Sequence, residues 1–471
     1  MKLTPTDAQE QVIAQFVADE SGGCLLGSDV GTGKTIVAIE TALRLWAARV
    51  IIIAPPGTYG TTENGLLEGW SGTLLRQSGQ TLLRASNKNK AEKANLAALM
   101  TGSDGWFFVS RELFASLDFE TKEVAGERKR VQKRVWEKHL FDVAIYDEVQ
   151  MASNKKSQSF KAWKSLKAHK KIAASADWFG DQVLNMWSVS TALWPETTDK
   201  SAWRWADEWL TGVYDHFSYG SKKYTAEKEE GAFARSLPCY ARQESDLGVP
   251  PVPEVRWVEL GSKQRKMYDQ LEKELVLWIE ENPLVIEMPA TLRTRLRQLT
   301  LGEFYLTEDN EVDFPALGDS VKLDEAKQIM ADHPGKFILF TDSQRFARVA
   351  ASRLKGAAEY SGKMSNDERE AVKRDFIEGD LQVIVAVIAA MGVGVDGLQN
   401  VCHNMIFLSE SDTEYMGRQA IGRLWRKGQT KPVNVWQVRA VQTYDEGQAS
   451  ALMQKALINN AAKLAKNHAT K

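Results

Sequence analysis

A chain of 471 residues exceeds one ordinary hydrophobic core and predicts two or three domains of ~100 to 200 residues. Its 43% hydrophobic and 26% charged content is that of a globular protein, and it has no run of ~18 apolar residues to cross a membrane. A formal net charge of −2 excludes whole-molecule attraction to a polyanion, so any nucleic-acid contact must come from local basic surface.

The first residues, MKLTPTDAQEQ, turn polar at once where a secretory leader needs an apolar stretch, which predicts a cytosolic protein. Next comes LLGSDVGTGKT, residues 25–35, after a strand-like start and before a helical repeat of Ile36, Ile39, Leu43 and Trp46. A phosphate-binding loop needs this setting. Gly31, Thr32 and Gly33 would let backbone amides approach phosphate oxygens, Lys34 would reach the β and γ phosphates, and the Thr35 hydroxyl would ligate magnesium. Ser28 stands where the common pattern has its first glycine.

Apolar runs at 50–55, 106–110, 141–148, 336–342, 382–389 and 404–410 read as strands buried on both faces, separated by helix-period stretches. That alternation predicts an α/β fold with two parallel sheets. In FDVAIYDE the strand ends on Asp147 and Glu148, at the edge where parallel sheets carry their ligands. Adjacent carboxylates there suit a cation: Asp147 is the candidate magnesium ligand and Glu148 the group that polarises attacking water.

The segment LGVPPVPEV, residues 247–255, cannot continue a helix or strand and predicts a hinge, giving lobes 1–250 and 251–471. Beyond it, Met267, Leu271, Leu275, Trp278 and Ile279 suit one long helix, and Leu292, Leu296 and Leu299 a second, together a helical insertion over about 262–312. Arg293, Arg295 and Arg297 on that second helix are either a solvated face or a contact surface. In QAIGRLWRKGQ, residues 419–429, the spacing of Arg423 and Arg426 would place both on one helical face, aimed at a γ-phosphate. Cys24, Cys239 and Cys402 stand far apart in sequence and read as packed thiols with no metal knuckle.

These strings, in this order, resemble the core of superfamily II helicases, and several are similar to the Swi/Snf branch. PTDAQ resembles the adenine-reading Q motif, pointing to Gln9, with Gln11 a second candidate. VIIIAPPGTYG resembles a motif that grips backbone phosphates, and DEVQMASNKKSQSFKA resembles the stretch that follows the acidic pair, with Asn154 and Ser157 in register. ELGSKQRKMYDQL and LRTRLRQL are similar to the helices that set Swi/Snf proteins apart; YSGKMSNDER, MGVGVDGL with Gly392, Gly394 and Asp396, and TYDEG continue the match. Two strings depart from the family: Gln150 replaces the usual histidine of the acidic motif, and SADWFGD, 175–181, replaces a Thr-Gly-Thr-Pro string.

The resemblance implies two RecA-like lobes with ATP and magnesium between them. Lys34, Thr35 and Asp147 would bind Mg·ATP, Gly394 and Asp396 would assist, Glu148 would orient water, and Arg423 and Arg426 would complete the site. Thr58, Ser110, Arg111, Ser343 and Gln344 lie in or beside the motifs that would touch nucleic acid, expected to be double-stranded DNA. It further implies a compact monomeric core of a bacterial or viral kind, working in a bacterial or virus-infected cytoplasm. Two rivals stay open: a strand-separating DNA or RNA helicase, and a nucleotide-gated binding or scaffold protein with weak ATPase activity.

Overall fold

The apolar runs become two parallel sheets. The computed structural model describes residues 2–447 except 61, 64, 65, 68, 125, 126, 181, 199, 200, 215–221, 230, 246, 280, 281, 286–288, 309, 310, 316, 317, 392–394, 396, 412 and 413. The chain divides into two compact units between Asp246 and Leu247, where the proline-rich segment begins. No described helix is long and apolar enough to cross a membrane.

The first unit opens with helix α1 (Asp7–Ala18), entered through a capping box in which the Thr6 side chain and the N3 residue Gln9 satisfy each other's backbone amides. Its sheet contains β1 (Gly23–Leu26), β2 (Arg49–Ala54), β3 (Leu82–Arg84) and β4 (Gly105–Ser110). Helix α2 (Lys34–Arg44) follows β1, and α3 (Arg111–Leu117) follows β4. After a hairpin of β5 (Phe119–Val124) and β6 (Glu127–Gln132) come β7 (Leu140–Asp147), helix α4 (Gln158–Ser165), β8 (Lys167–Ala174) and β9 (Tyr240–Ala241). The sheet order is β9-β1-β8-β7-β2-β4-β3, with every pairing parallel. Ile51, Ile52 and Ile53 of β2 have no exposed surface, because helices cover both faces of a parallel sheet.

The second unit has β10 (Glu254–Val258), helices α5 (Ser262–Glu274), α6 (Pro289–Leu301) and α7 (Val321–Asp332), then β11 (Lys336–Thr341), α8 (Gln344–Arg353), β12 (Ala357–Tyr360), β13 (Val383–Val387), β14 (Cys402–Phe407), α9 (Glu414–Ile421) and β15 (Asn434–Ala440). Its sheet runs β10-β15-β14-β11-β13-β12, again all parallel. Lys322 at the start of α7 is 1% exposed and bonds Asp445 at 2.6 Å, so a buried ion pair pins the segment after β15 to this unit. The fold is therefore α/β with two parallel sheets, as the alternation predicts.

Several local expectations fail. The long helix expected to carry Leu275, Trp278 and Ile279 stops at Glu274: Leu275 takes a left-handed φ of 57°, and Val276–Ile279 pairs with Asn282–Val285 as an antiparallel hairpin. Trp46 does not share the buried face of Ile36 and Ile39, since α2 ends at Arg44 and Trp46 is 91% exposed. Arg297 is no solvated charge; it is 11% exposed and bonds Asp342 at 2.5 Å. The packed-thiol expectation holds, since Cys24, Cys239 and Cys402 are buried free cysteines, and Cys24 and Cys239, distant in sequence, meet across the β1–β9 pairing with their sulfurs 3.4 Å apart. Asp19 lies beside them, its carboxylate bonded to the Lys170 ammonium at 2.8 Å, and burial pushes the Cys24 thiol far up.

Candidate nucleotide site and nucleic-acid contacts

In the first unit the phosphate-loop candidates gather at the carboxyl ends of β1 and β7, separated by the single strand β8. Gly31 and Gly33 both have left-handed φ, 82° and 80°, a conformation costly to residues with a Cβ. Gly33 is the N-cap of α2, and a Cβ there would lie 2.4 Å from the Gln9 amide nitrogen. The loop thus leads directly into a helix N-terminus, where an anion is favoured.

Gln9 is half-buried; its Nε2 donates to the Thr32 carbonyl at 2.8 Å and its Oε1 accepts the Thr6 amide at 2.9 Å. Gln11, the other candidate, is exposed on α1. The Thr32 hydroxyl donates to the Asp29 carbonyl at 2.8 Å, and the Lys34 ammonium donates to the carbonyls of Ser28 and Asp29 at 3.1 and 2.9 Å. Thr35 is half-buried in the first turn of α2.

The departure at Ser28 has a structural use. Its side chain is fully buried and its Oγ accepts the Gln243 amide at 2.9 Å, tying the loop to the segment after β9. Asp29 reinforces the tie, accepting the Ser245 amide at 3.2 Å and pairing with Arg242 at 3.5 Å.

Asp147 ends β7 and accepts the Trp70 indole N–H at 3.1 Å. Burial, then the neighbouring Glu148 charge, pushes its carboxyl up to about 6, against the opposing pull of Lys34 and the Trp70 hydrogen bond. A divalent cation would relieve this strain, so the donor set fits magnesium bound with a nucleotide. Glu148 has a left-handed φ of 56°, a strained conformation of the kind that persists at functional sites, and its carboxylate accepts the Gln150 amide at 2.6 Å.

The two departures from the helicase pattern are neighbours. Gln150 is buried, and a Cβ built on Gly180 of the SADWFGD string would lie 3.8 Å from the Gln150 Cβ. Trp178 and Phe179 of that string are wholly buried and meet edge to face with centroids 4.9 Å apart. Bulky aromatic packing thus occupies the position of a short polar turn.

In the second unit Arg423 and Arg426 are not on one helical face. Helix α9 ends at Ile421, and successive turns carry Arg423 and Arg426, with amides donating to Ala420 and Leu424. Both are half-buried, and Arg423 Nη1 donates to the Val395 carbonyl at 3.2 Å. Gly422 and the glycine after Lys427 break the helical run that the charge spacing suggested. Gly394 and Asp396 lie outside the described residues.

The nucleic-acid candidates are dispersed over both units. Thr58 ends a short 3-10 turn and donates to the Pro55 carbonyl at 2.8 Å. Ser110 caps α3 by accepting the Leu113 amide at 3.2 Å, and Arg111 follows it, 3.7 Å from Glu112. Ser343 caps α8, accepting the Phe346 amide at 3.3 Å. Gln344 donates to the Ser361 hydroxyl at 3.1 Å and lines a cleft of about 380 Å³ with Arg345, Arg348 and Lys363. The contacts of Trp70 and of Gln243 escaped the sequence reading, because 77 and 215 residues separate them from their partners and no local pattern marks either.

Comparison with known proteins finds a family match in the second unit and remote relatives of the whole chain. Residues 321–428 match the helicase conserved C-terminal domain. A DNA repair and recombination protein, RAD54-like, of Drosophila ananassae is 20% identical over 470 residues, covering 90% of this chain and 57% of its own length. The chain thus spans little more than half of that relative. Among solved structures, the Sulfolobus solfataricus SWI2/SNF2 ATPase core in complex with dsDNA is 17% identical, covers 98% of this chain and 94% of its own, and superposes with a TM-score of 0.39. The chain thus carries a match to the helicase conserved C-terminal domain in its second unit and is similar over most of its length to a RAD54-like protein.

Proposed function

We propose that the chain is an ATP-dependent nucleic-acid motor and that its track is double-stranded DNA. The observation that carries the reading is the pairing, in one unit, of a glycine loop that can take phosphates with an Asp147 carboxyl pushed up to about 6 beside Glu148. Magnesium bound with ATP supplies charge neutralisation at the phosphates. Thr35 and Asp147 would hold it, and the amides at Gly31 to Gly33 would cradle the phosphates. Lys34 would exchange the carbonyls of Ser28 and Asp29 for phosphate oxygens. Glu148, steadied by Gln150, would orient the attacking water and take up its proton. Arg423 and Arg426 would stabilise the charge that develops in the transition state.

Duplex DNA is favoured over other tracks by two facts: the relative is named for DNA repair and recombination, and α5 and α6 are present where the Swi/Snf-like strings predict helices. Steady ATP hydrolysis with duplex DNA, single-stranded DNA and RNA tests this, with Lys34→Ala as the inactive control. Duplex should stimulate most. Activity that responds only to RNA or single strands, with unwinding of a tailed duplex, would move the chain to the strand-separating rival. Hydrolysis indifferent to all three would favour the nucleotide-gated scaffold.

A further inference from the structure

Between Glu148 and Asp177 the chain carries seven lysines and no acidic residue, although over its whole length 62 acidic side chains outnumber 60 basic ones. The fold sorts these seven. Lys170 is buried against Asp19, and Lys171 is buried, its ammonium donating to the carbonyls of Trp163 and Ala192 at 3.1 Å. The other five stay at the surface. Helix α4 buries Phe160, Ala162 and Trp163 and therefore turns Lys161 and Lys164 outward, with exposed Lys156 before it and exposed Lys167 after it. Because α4 leads from the carboxyl end of β7 back to the start of β8, the row runs down the flank of the unit from one sheet edge to the other.

Two neighbouring features extend the row. Lys155 lies over the half-exposed Trp203 ring at 4.9 Å, putting an accessible aromatic beside the cations. On the other side, β6 carries exposed Arg128, Lys129 and Arg130, and its base is joined to α4 where Gln132 Nε2 donates to the Lys161 carbonyl at 3.2 Å and to Asp118 at 2.6 Å. Lys156, Lys161 and Lys167 form no ion pair among the described residues. A row of surface lysines, three of them in no ion pair among the described residues, with an aromatic at its edge is the chemistry that grips a phosphate backbone.

We propose that this flank, α4 with the β5–β6 hairpin, is a second contact surface for the phosphate backbone of duplex DNA, separate from Thr58, Ser110, Arg111, Ser343 and Gln344. It rests on the nucleic-acid reading above and adds a site to it. A strand presents one phosphate every ~3.4 Å of axis, so a row of lysines along a helix can meet several at once without reading sequence.

The test uses the full chain and the triple variant K156Q/K161Q/K167Q, whose altered side chains are not in the nucleotide site. Binding to a fluorescent duplex is measured over a range of salt concentrations without nucleotide, together with thermal melting. The variant should melt like the parent, and the slope of log affinity against log salt should become shallower by about 2 to 3, at ~0.9 for each lost phosphate contact. With ATP, the duplex concentration giving half-maximal stimulation should rise while the maximal rate stays unchanged. A parent that binds duplex with a slope the variant reproduces would overturn the surface and leave the motor reading standing. A parent that binds no duplex would overturn both. Displacement of duplex by polyglutamate at matched charge, lost in the variant, would reassign the surface to acidic polypeptide.

Discussion

Replacing Asp147 by asparagine keeps the side-chain shape and an oxygen for the Trp70 indole N–H, but removes a charge that burial and Glu148 disfavour. In the unfolded chain this carboxyl titrates near its ordinary 3.8, and in the folded chain near 6. The folded value is the higher one, so the protonated form stabilises the fold, and that stabilisation is lost as pH rises from 3.8 through about 6. The gap corresponds to about 3 kcal/mol at pH 8, where both states are ionised, and to about 2 kcal/mol at pH 5, where most folded chains keep the proton. Asp147→Asn should therefore stabilise the nucleotide-free protein, by about 1 kcal/mol more at pH 8 than at pH 5. For a unit of this size that difference is about 2 to 4 °C in melting temperature. Parallel thermal melts at the two pH values measure it, and adding Mg·ATP should raise the melting temperature of the parent more than that of the variant. An asparagine variant no more stable than the parent, or one with the same gain at both pH values, would refute the electrostatic argument for a cation at Asp147.

Glu148→Gln should retain Mg·ATP affinity, read by equilibrium binding of a fluorescent nucleotide, while hydrolysis falls to background, because an amide keeps the shape but accepts a proton poorly; hydrolysis at the parent rate would remove Glu148 from its role. Arg426→Ala should lower the turnover number by a factor of roughly 10³ or more with little change in nucleotide affinity, as for arginine fingers. Steady-state kinetics decide it, and a loss confined to affinity would make Arg426 a binding residue only. Lys322→Met strands the buried Asp445 carboxylate and should cost the second unit about 3 to 5 kcal/mol in denaturant unfolding, whereas Lys327→Met, at a pair near the surface, should cost about 1 kcal/mol or less.

The sequence by itself determined the features whose cause is local. Uninterrupted apolar runs such as Val50 to Ala54 can only be strands covered on both faces, and Gly31 and Gly33 stand where the backbone needs a left-handed φ. From these came the α/β class, the two parallel sheets and the gathering of Lys34 with Asp147 and Glu148. Tertiary structure decided what depends on distant partners. Nothing near Asp147 announces that Trp70 will donate to it, nor does Ser28 reveal that its hydroxyl serves the Gln243 amide. Helix ends belong here as well: the apolar spacing through Ile279 and the charge spacing through Arg426 both fit a helix, but Leu275 reverses the chain into a hairpin and Gly422 opens a run of turns. Periodicity records which side chains want burial, whereas the partner that each polar group finds, and the residue at which a helix gives way, are settled by the packing of segments that the sequence keeps far apart.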